Sequence, residues 1–443
     1  MAGPVQRRYA QAAYRALPVT FARRVVVGRD PYWRRYFWSR WGFVPAAVRA
    51  AVAGRRVIFL DAISGGEVTQ MVTFCRRLRE ACPDCALVLS TNNRYSYEFA
   101  TKNLAVDAII DSPWDLQGPV RRVLGTLAPA AVVAIENLTS PVLFAEARAR
   151  RIPTLLVSGL MSANFERHPM LERTLEAHGF RELSQVGAKT ADDMRGYVAQ
   201  GVPAERIAVT GNMKFDLDYL HVGDEERTAL HDALQLSAGE PVLLAASLHP
   251  GEEELVGEAY VEARRSVPGL RLVLVPRYAA HAAAMIARLG GFGLTCVLRT
   301  TLDHARAGAD DVIVVDTFGE LNRLYALSST VFLGGTTYLR NAVGAGQNPI
   351  EPLAQRKPLF FGPHMGLWRS ITDSLKAVWP GVEVTTAKEL AAGVVAVWED
   401  AALSARLRET VDAILAEHRD DVAKNVALVA GAVGPGTGHA ARR

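Results

Sequence analysis

The chain has 443 residues, of which 49% are hydrophobic and 22% are charged, as is usual for a globular protein. Its length exceeds that of one ordinary domain and predicts two or three domains, each with its own hydrophobic core. A net charge of +4, without basic runs interleaved with aromatic residues, excludes a typical nucleic-acid-binding protein.

Residues 1–45 are rich in arginine and aromatic residues, among them Arg34, Arg35, Trp38 and Trp41. Such a segment suits the surface of an anionic membrane, and it equally suits a helical arm packed on its own domain or on a second subunit of a homo-oligomer. The sequence has no apolar run of about 20 residues and no signal-peptide pattern. We therefore expect a cytoplasmic protein, with peripheral contact to the inner face of the membrane as one role for this segment.

The four cysteines include a Cys-x-x-Cys pair, Cys82 and Cys85. A zinc site would need two further ligands at similar spacing, and the neighbouring sequence offers none. We expect reduced thiols and no bound metal, and keep a redox role for the pair as the alternative.

In the first half of the chain, apolar runs typical of buried strands alternate with amphipathic helical patterns. The strand-like runs cover residues 57–60, 86–89, 130–135 and 154–157. Helices are predicted over residues 66–79, 120–127 and 141–151.

A second series of the same kind begins after about residue 235. Its strand-like runs cover residues 242–246, 270–275, 312–315, 331–333 and 358–361. Helices are predicted over residues 252–265, 279–289 and 319–326, and an alanine-rich helical pattern covers 387–430.

Two successive series of this kind predict an α/β protein with two facing, doubly wound, Rossmann-like domains. The expected bounds are 1–210 for the first domain, 211–240 for a linker, 241–430 for the second domain and 431–443 for a tail. The last helix of the second domain could return to the first.

Ligands of open α/β sheets bind beyond the carboxyl ends of the strands, so the loops there are the candidate sites. After the first strand-like run comes SGGE at residues 64–67, where glycines allow a ligand to approach and Glu67 stands near a helix N-terminus. Glu67 is interpreted either as a general base for an attacking hydroxyl or thiol, or as a first-turn glutamate favoured by the helix dipole.

Loops in the second half carry residues suited to phosphate or ribose. Ser247 and His249 precede a helix N-terminus, and Arg277 directly follows a strand, where a guanidinium can bind phosphate. The segments 316–320 and 334–336 also follow strands, and a glycine-rich stretch leads to Glu351, whose carboxylate can accept both hydroxyls of a ribose. A helix cap or an internal ion pair could explain any one of these loops. The occurrence of several such loops at strand ends predicts a nucleotide site.

Taken in chain order, these segments resemble the Kdo transferase family. Members of that family have the GT-B fold and transfer an eight-carbon acid sugar from a cytidine monophosphate donor to lipid A. The matching segments are SGGE at 64–67, GNMKFD at 211–216, SLHPGEEE at 247–254, PR at 276–277, DTFGEL at 316–321, GGT at 334–336, NPIEP at 348–352 and FGPH at 361–364.

The resemblance implies that Glu67 is the catalytic base and that Lys214 lies in the interdomain region of the donor site. It also implies that the nucleotide is bound by second-domain residues, namely Ser247, His249, Arg277, Phe318, Gly319, Glu320, Asn348 and Glu351. Because no Asp-x-Asp stands at a strand end with a phosphate loop, we expect metal-independent transfer that needs no cofactor besides the nucleotide-sugar co-substrate.

The chain departs from the family pattern chiefly in the half that would face the acceptor. The family's ETE-Trp-Pro segment appears there only as residues 135–141. In the donor half, Tyr278 and Gln347 stand where the family usually has histidines. These departures leave the nucleotide, the sugar and the acceptor open.

Three functions therefore stay in view. The first is an inverting glycosyltransferase that moves Kdo or a similar octose from a nucleotide to a small or lipid-linked acceptor, with Glu67 as general base. The second is an antibiotic-pathway enzyme similar to the lincosamide thioglycosyltransferases, which join a guanosine-diphosphate octose to ergothioneine. The third is a sugar-nucleotide epimerase on the same fold, which would need no acceptor.

Overall fold

The computed structural model describes residues 31–161, 179–237, 239–302, 304, 308, 311–317, 319–338 and 346–434. Its contacts divide the chain into two compact units. Unit 1 consists of Met1–Asp216 and Asp420–Arg443, and unit 2 consists of Leu217–Arg419.

The described residues of unit 1 contain seven strands, β1 (Arg56–Asp61), β2 (Cys85–Thr91), β3 (Ala108–Asp111), β4 (Ala131–Ile135), β5 (Thr154–Gly159), β6 (Gln185–Ala188) and β7 (Ile207–Val209). They form one sheet in the order β3-β2-β1-β4-β5-β6-β7, and every neighbouring pair is parallel. The order reverses between β1 and β4, which makes the carboxyl ends of these two strands the expected ligand site of the sheet.

Helices cover both faces of this sheet, because alternate residues of each strand point to opposite sides. Phe59 of β1 belongs to one hydrophobic core, and its neighbours Ile58 and Leu60 belong to the other. The helices with described bounds before residue 216 are α1 (Pro31–Arg40), α2 (Ala46–Val52), α3 (Gly65–Thr69), α4 (Val72–Ala81), α5 (Arg94–Asn103), α6 (Gln117–Leu127), α7 (Pro141–Ala149) and α8 (Ala191–Ala199).

Within the part of unit 2 that the structure describes there are six strands, β8 (Val242–Leu248), β9 (Arg271–Pro276), β10 (Cys296–Leu298), β11 (Val312–Val314), β12 (Thr330–Leu333) and β13 (Leu359–Phe361). They form a second parallel sheet in the order β10-β11-β9-β8-β12-β13. Its order reverses between β8 and β12, so the loops after these two strands lie side by side.

Helices also flank the second sheet. Those with described bounds are α9 (Leu217–Leu220), α10 (Asp224–Ala233), α11 (Glu252–Ala263), α12 (Ala282–Gly290), α13 (Leu321–Leu327), α14 (Ile350–Ala354), α15 (Arg369–Val378), α16 (Ala387–Glu399) and α17 (Ala401–Glu417). Tyr260 of α11 and Leu390 of α16 are fully buried in one core with Leu243 and Ala245 of β8. This packing holds the sheet that carries the candidate nucleotide loops.

A final helix, α18 (Asp421–Val433), belongs to unit 1. Its residues Val422 and Val426 share a core with Phe74 of α4. The Asp421 carboxylate accepts a hydrogen bond of 2.8 Å from the amide of Asn212. Gly211 has a φ of +83°, and a Cβ there would lie 1.9 Å from that carboxyl group, so glycine is required where this helix begins.

All nine predicted strand runs coincide with strands, and the α/β class with two doubly wound parallel sheets is confirmed. Four strands were not predicted, namely β3, β6, β7 and β10. The helix predicted over 66–79 is two helices, α3 and α4, and the pattern over 387–430 contains three, separated at Asp400 and at 418–420. Asp400 caps the second of these, because its side chain accepts a hydrogen bond from the amide of Leu403.

The bounds of the two units differ from the expected domain limits. Within the expected linker 211–240, the GNMKFD segment closes unit 1 and α10 belongs to unit 2. The chain crosses back at Asp420, because α18 buries its apolar face against α4 and strands of the first sheet.

Candidate functional site

The loop after β1 forms a capping box at the start of α3. The Ser64 hydroxyl accepts a hydrogen bond of 3.2 Å from the amide of Glu67. In return, Oε2 of Glu67 accepts from the amides of Ile63 at 2.6 Å and Ser64 at 3.1 Å. The first-turn role that the sequence allowed for Glu67 is therefore present, and it holds the carboxylate at the switch point of the first sheet.

Glu67 is only 4% exposed. Burial raises its pKa, against the lowering effect of hydrogen bonds from Ser64, Asn137 and Ile63, and the nearby charge of Glu136 raises it further. A carboxylate with a raised pKa is a stronger base than one in water, so this environment suits proton abstraction.

Next to Glu67, at the end of β4, lies a buried cluster of charged groups. Oε1 of Glu136 accepts hydrogen bonds of 2.6 Å from both Lys189 and Lys214, and Gln70 donates to Oε2 at 2.8 Å. Burial alone would raise the pKa of Glu136, but attraction to the two ammonium groups lowers it to about 2. Lys214, expected in the donor site, is therefore part of this unit 1 cluster, and its side chain is 21% exposed.

In unit 2, the loops after β8 and β12 are joined by Glu252. Its carboxylate accepts hydrogen bonds from the amide of His249 at 3.0 Å, from Gly335 at 2.6 Å and from the hydroxyl of Thr337 at 2.7 Å. The Gly335 amide, in a glycine-rich segment that the sequence suggested would admit phosphates, thus binds a carboxylate. Gly335 is also required by packing, because a Cβ there would lie 2.7 Å from the His249 ring.

His249 and Ser247 lie in the loop after β8. His249 is 1% exposed, and its Nε2 lies 3.2 Å from Nε2 of Gln347, the residue that stands where the family usually has histidine. Ser247 has a φ of +56°, a left-handed conformation that is costly for a residue other than glycine and often occurs at binding sites.

Arg277 directly follows β9, and Glu320 precedes α13 at the end of the loop that follows the neighbouring strand β11. Arg277 is exposed, and its guanidinium lies 5.6 Å from the centre of the Tyr278 ring. Glu320 lies 3.8 Å from Arg299, and Gly319 has a φ of +87° with open space around it. Phe318 lies outside the described residues.

Asn348 and Glu351 stand at the start of α14. The Asn348 amide nitrogen lies 3.4 Å from Oε1 of Glu351, and its oxygen accepts from the amide of Ile350 at 3.1 Å. Both side chains are partly exposed. The expected nucleotide residues that the structure describes therefore lie around the carboxyl edge of the second sheet, except Lys214, which lies in unit 1 with Glu67.

The buried charged residues that escaped sequence reasoning include Glu252 and Lys189. In the sequence, Glu252 is one of three consecutive glutamates at a predicted helix start. In the structure it is only 2% exposed, which distinguishes it from an exposed acidic residue in a first helical turn. Lys189 is one of seven lysines in an arginine-rich chain and directly follows β6. Its rarity and its place at a strand end are the signals that could have found it.

No helix within the described ranges is both long and apolar enough to cross a membrane. Histidine, cysteine and acidic side chains in the same ranges form no group of three or more that could hold a metal ion.

Comparison with known proteins finds similarity to the Kdo transferases. Residues 35–217 match the family model described as 3-deoxy-D-manno-octulosonic-acid transferase (kdotransferase). The transferase of that name from Haemophilus influenzae is 26% identical over 88% of this chain and 90% of its own length. Its counterpart from Bordetella pertussis is 31% identical over 57% of each chain.

Solved structures with a similar fold include proteins bound to nucleotides or nucleotide sugars. The UDP-GlcNAc 2-epimerase from Neisseria meningitidis bound to UDP-GlcNAc has a TM-score of 0.58 at 13% identity, covering 82% of this chain and 98% of its own. Anabaena Alr3699/HepE in complex with UDP has a TM-score of 0.55 at 17% identity, covering 84% and 98%. These likenesses show the fold alone. The sequence matches indicate that the chain is a glycosyltransferase similar to the Kdo transferases, with the match to the family model at residues 35–217.

Proposed function

We propose that the chain transfers Kdo or a closely similar octose from a cytidine monophosphate donor to an acceptor hydroxyl, with inversion at the anomeric carbon. The observation that carries the proposal is the arrangement of the family-like loops at sheet edges. Glu67 stands at the switch point of the first sheet, and the nucleotide residues stand around the same edge of the second.

In this reaction Glu67 acts as the general base. The acceptor oxygen attacks the anomeric carbon and gives its proton to the Glu67 carboxylate, while the bond to the nucleotide phosphate breaks and CMP leaves from the opposite face. Burial favours this step, because it raises the pKa of Glu67 and so makes the carboxylate a better proton acceptor.

The nucleotide would be held by residues of unit 2. Arg277 offers an exposed guanidinium for phosphate, and Glu351 offers a partly exposed carboxylate for the ribose hydroxyls. The loop with Ser247 and His249 is kept rigid by Glu252, which suits a site that must present fixed donors to a charged group.

A lipid-linked acceptor would fit an exposed aromatic patch near the N-terminus of unit 1. Trp38 and Phe43 are 55% and 50% exposed, with ring centres 5.6 Å apart, and the Arg122 guanidinium lies 5.2 Å from the Phe43 ring. Exposed aromatic rings beside a cation are suited to the interface of an anionic membrane. We infer peripheral contact with a bilayer at this patch.

The decisive experiment is turnover of the full chain with CMP-Kdo, alone and with a lipid A precursor. Glu67→Gln should lower turnover by about 10²–10⁴-fold, because the amide cannot accept the proton. Glu98→Gln is the matched control, since Glu98 forms an exposed pair with Arg94. Wild-type turnover in Glu67→Gln would place the base elsewhere, and release of sugar without acceptor would favour an epimerase.

A second candidate is transfer of a different octose to a small alcohol or thiol. It is favoured by Tyr278, which is 53% exposed, and by Gln347, because both stand where the family usually has histidines. Thermal unfolding with CMP and with GDP separates the two, since a nucleotide at about 100 times its dissociation constant adds roughly 2.7 kcal/mol of stability. Stabilisation by GDP alone would favour the second candidate.

A further inference from the structure

We propose that Asn137 is a positioning residue for Glu67. Asn137 binds one oxygen of the Glu67 carboxylate and leaves that same oxygen able to accept the proton of the substrate. This inference deepens the proposed function and rests on it. It concerns the loop after β4, where the chain departs from the family pattern.

The hydrogen bonds of Glu67 divide unequally between its two oxygens. Oε2 accepts from two backbone amides, those of Ile63 and Ser64, at 2.6 and 3.1 Å. Oε1 accepts from Nδ2 of Asn137 at 3.2 Å. A carboxylate oxygen has two lone pairs in the carboxyl plane, so the backbone occupies both on Oε2. Oε1 keeps one, which makes it the atom that can take a proton.

Asn137 reaches Glu67 because the two loops follow adjacent strands at the switch point. β1 and β4 pair in parallel, with Asp61 opposite Ala134, so the residues after each strand lie side by side. Glu136 turns the chain there with a φ of +63°, which is costly for a residue other than glycine. Its side chain is held in this turn by Lys189 and Lys214.

Gln70 links the loop of Glu67 to the turn at Glu136. Its Nε2 donates to the Gly66 carbonyl at 3.2 Å and to Glu136 at 2.8 Å. Gln70 therefore ties the helix that carries Glu67 to the turn that carries Asn137. The buried ion pairs therefore hold the turn that presents Asn137 to Glu67, and the Asn137 side chain itself lies at the surface.

An amide is suited to this task because it donates without carrying charge. Its N–H stabilises the ionised form of Glu67, which must exist before the acceptor attacks. When the acceptor O–H gives its proton to the free lone pair of Oε1, the Asn137 bond on the other lone pair persists. An aspartate at this position would instead repel the carboxylate and keep it protonated.

The test measures the Glu67 carboxyl group directly. The full chain is labelled with [δ-¹³C]glutamate and titrated by NMR, and the Glu67 signal is assigned by its absence in Glu67→Gln. Asn137→Ala should raise the midpoint of this signal by about half to one pH unit, because one hydrogen bond to the charged form is lost. Asn137→Asp should raise it further. Thr139→Ala, an exposed neighbour in the same loop, should leave it unchanged.

The pH dependence of kcat, measured with CMP-Kdo and a lipid A precursor, gives an independent kinetic test. In Asn137→Ala the acidic midpoint of this profile should move to higher pH by the same amount as the NMR midpoint of Glu67. A midpoint equal to that of the wild type in Asn137→Ala would overturn the positioning role, even if Glu67→Gln is inactive. An active Glu67→Gln would overturn the proposed base instead, whatever the titration of Asn137→Ala shows.

Discussion

Replacing Glu136 with glutamine should destabilise unit 1 by about 3–5 kcal/mol near neutral pH. The amide preserves the size of the side chain and removes the charge that two ammonium groups share at 2.6 Å. Lys189 is 6% exposed and Lys214 is 21% exposed, so water cannot fully replace the lost charge. The amide also has only one accepting oxygen, whereas Glu136 accepts from both lysines and from Gln70.

The effect should depend on pH in a defined direction. Burial is the main influence on Lys189 and lowers its pKa to about 8, while attraction to Glu136 raises it. Without Glu136 the pKa of Lys189 falls further, although the unfolded chain keeps its usual value of 10.5. The unfolded variant then binds more protons than the folded one, so its stability rises with pH. The destabilisation should be larger at about pH 6 than at about pH 9.

At acidic pH a second titration, that of Glu136 itself, also reduces the difference in stability between the wild type and the variant. The pKa of Glu136 is about 2 in the folded protein against 4.5 in the unfolded chain. Its contribution to wild-type stability is therefore fully present above pH 4.5 and is lost as the pH falls from there toward 2. The variant has no carboxyl group to protonate at this position, so the two curves should converge in that window.

Hydrogen exchange measured by mass spectrometry along a urea series separates the two units. Peptides from β4 and β5 report on unit 1, and peptides from β8 serve as an internal reference. The matched control is Glu146→Gln, since Glu146 also accepts from two cations, Arg121 and Arg150. Those arginine side chains are 53% and 33% exposed, so the control should cost less than about 1 kcal/mol. Equal, pH-independent effects of the two variants would refute the burial argument.

Three further predictions concern ligands. Glu351→Ala should weaken CMP binding by roughly 10–30-fold in calorimetry, because two hydrogen bonds of about 1 kcal/mol each are lost, and unchanged affinity would remove Glu351 from the site. Turnover should survive EDTA, since the proposed anion contacts use arginine and helix ends, and loss that magnesium or manganese restores would contradict this. Trp38→Ala combined with Phe43→Ala should reduce sedimentation with phosphatidylglycerol vesicles several-fold, and undiminished sedimentation would place the membrane contact elsewhere.

Buried strands could be predicted from the sequence because a parallel strand covered on both faces is a continuous apolar run. β1, β2, β4 and β5 all have this character. The strands that escaped prediction lack it. β3, β7 and β10 are edge strands of three or four residues with partly exposed side chains, and β6 has the mixed sequence Gln-Val-Gly-Ala.

The loops of the candidate site were predictable for a related reason, since the carboxyl ends of parallel strands share one edge of a sheet. The partners of each side chain were not. Glu136 meets Lys189 and Lys214 across 53 and 78 residues of chain, and no local periodicity records such a contact. The same holds for Glu252, which could be assigned to a helix start but not to the amides 83–85 residues away.

The return of α18 to unit 1 bears on how the protein can be synthesised. Val422, Val426 and Val429 complete a core whose other members lie before residue 216. A ribosome therefore releases most of unit 1 and all of unit 2 before this core can close. An apolar face of unit 1 therefore stays exposed until α18 has been synthesised, while unit 2 folds. Chaperone binding would be most useful at this stage. A fragment ending at Asp216 would remain in that state and should aggregate, whereas co-expression of residues 420–434 should rescue it.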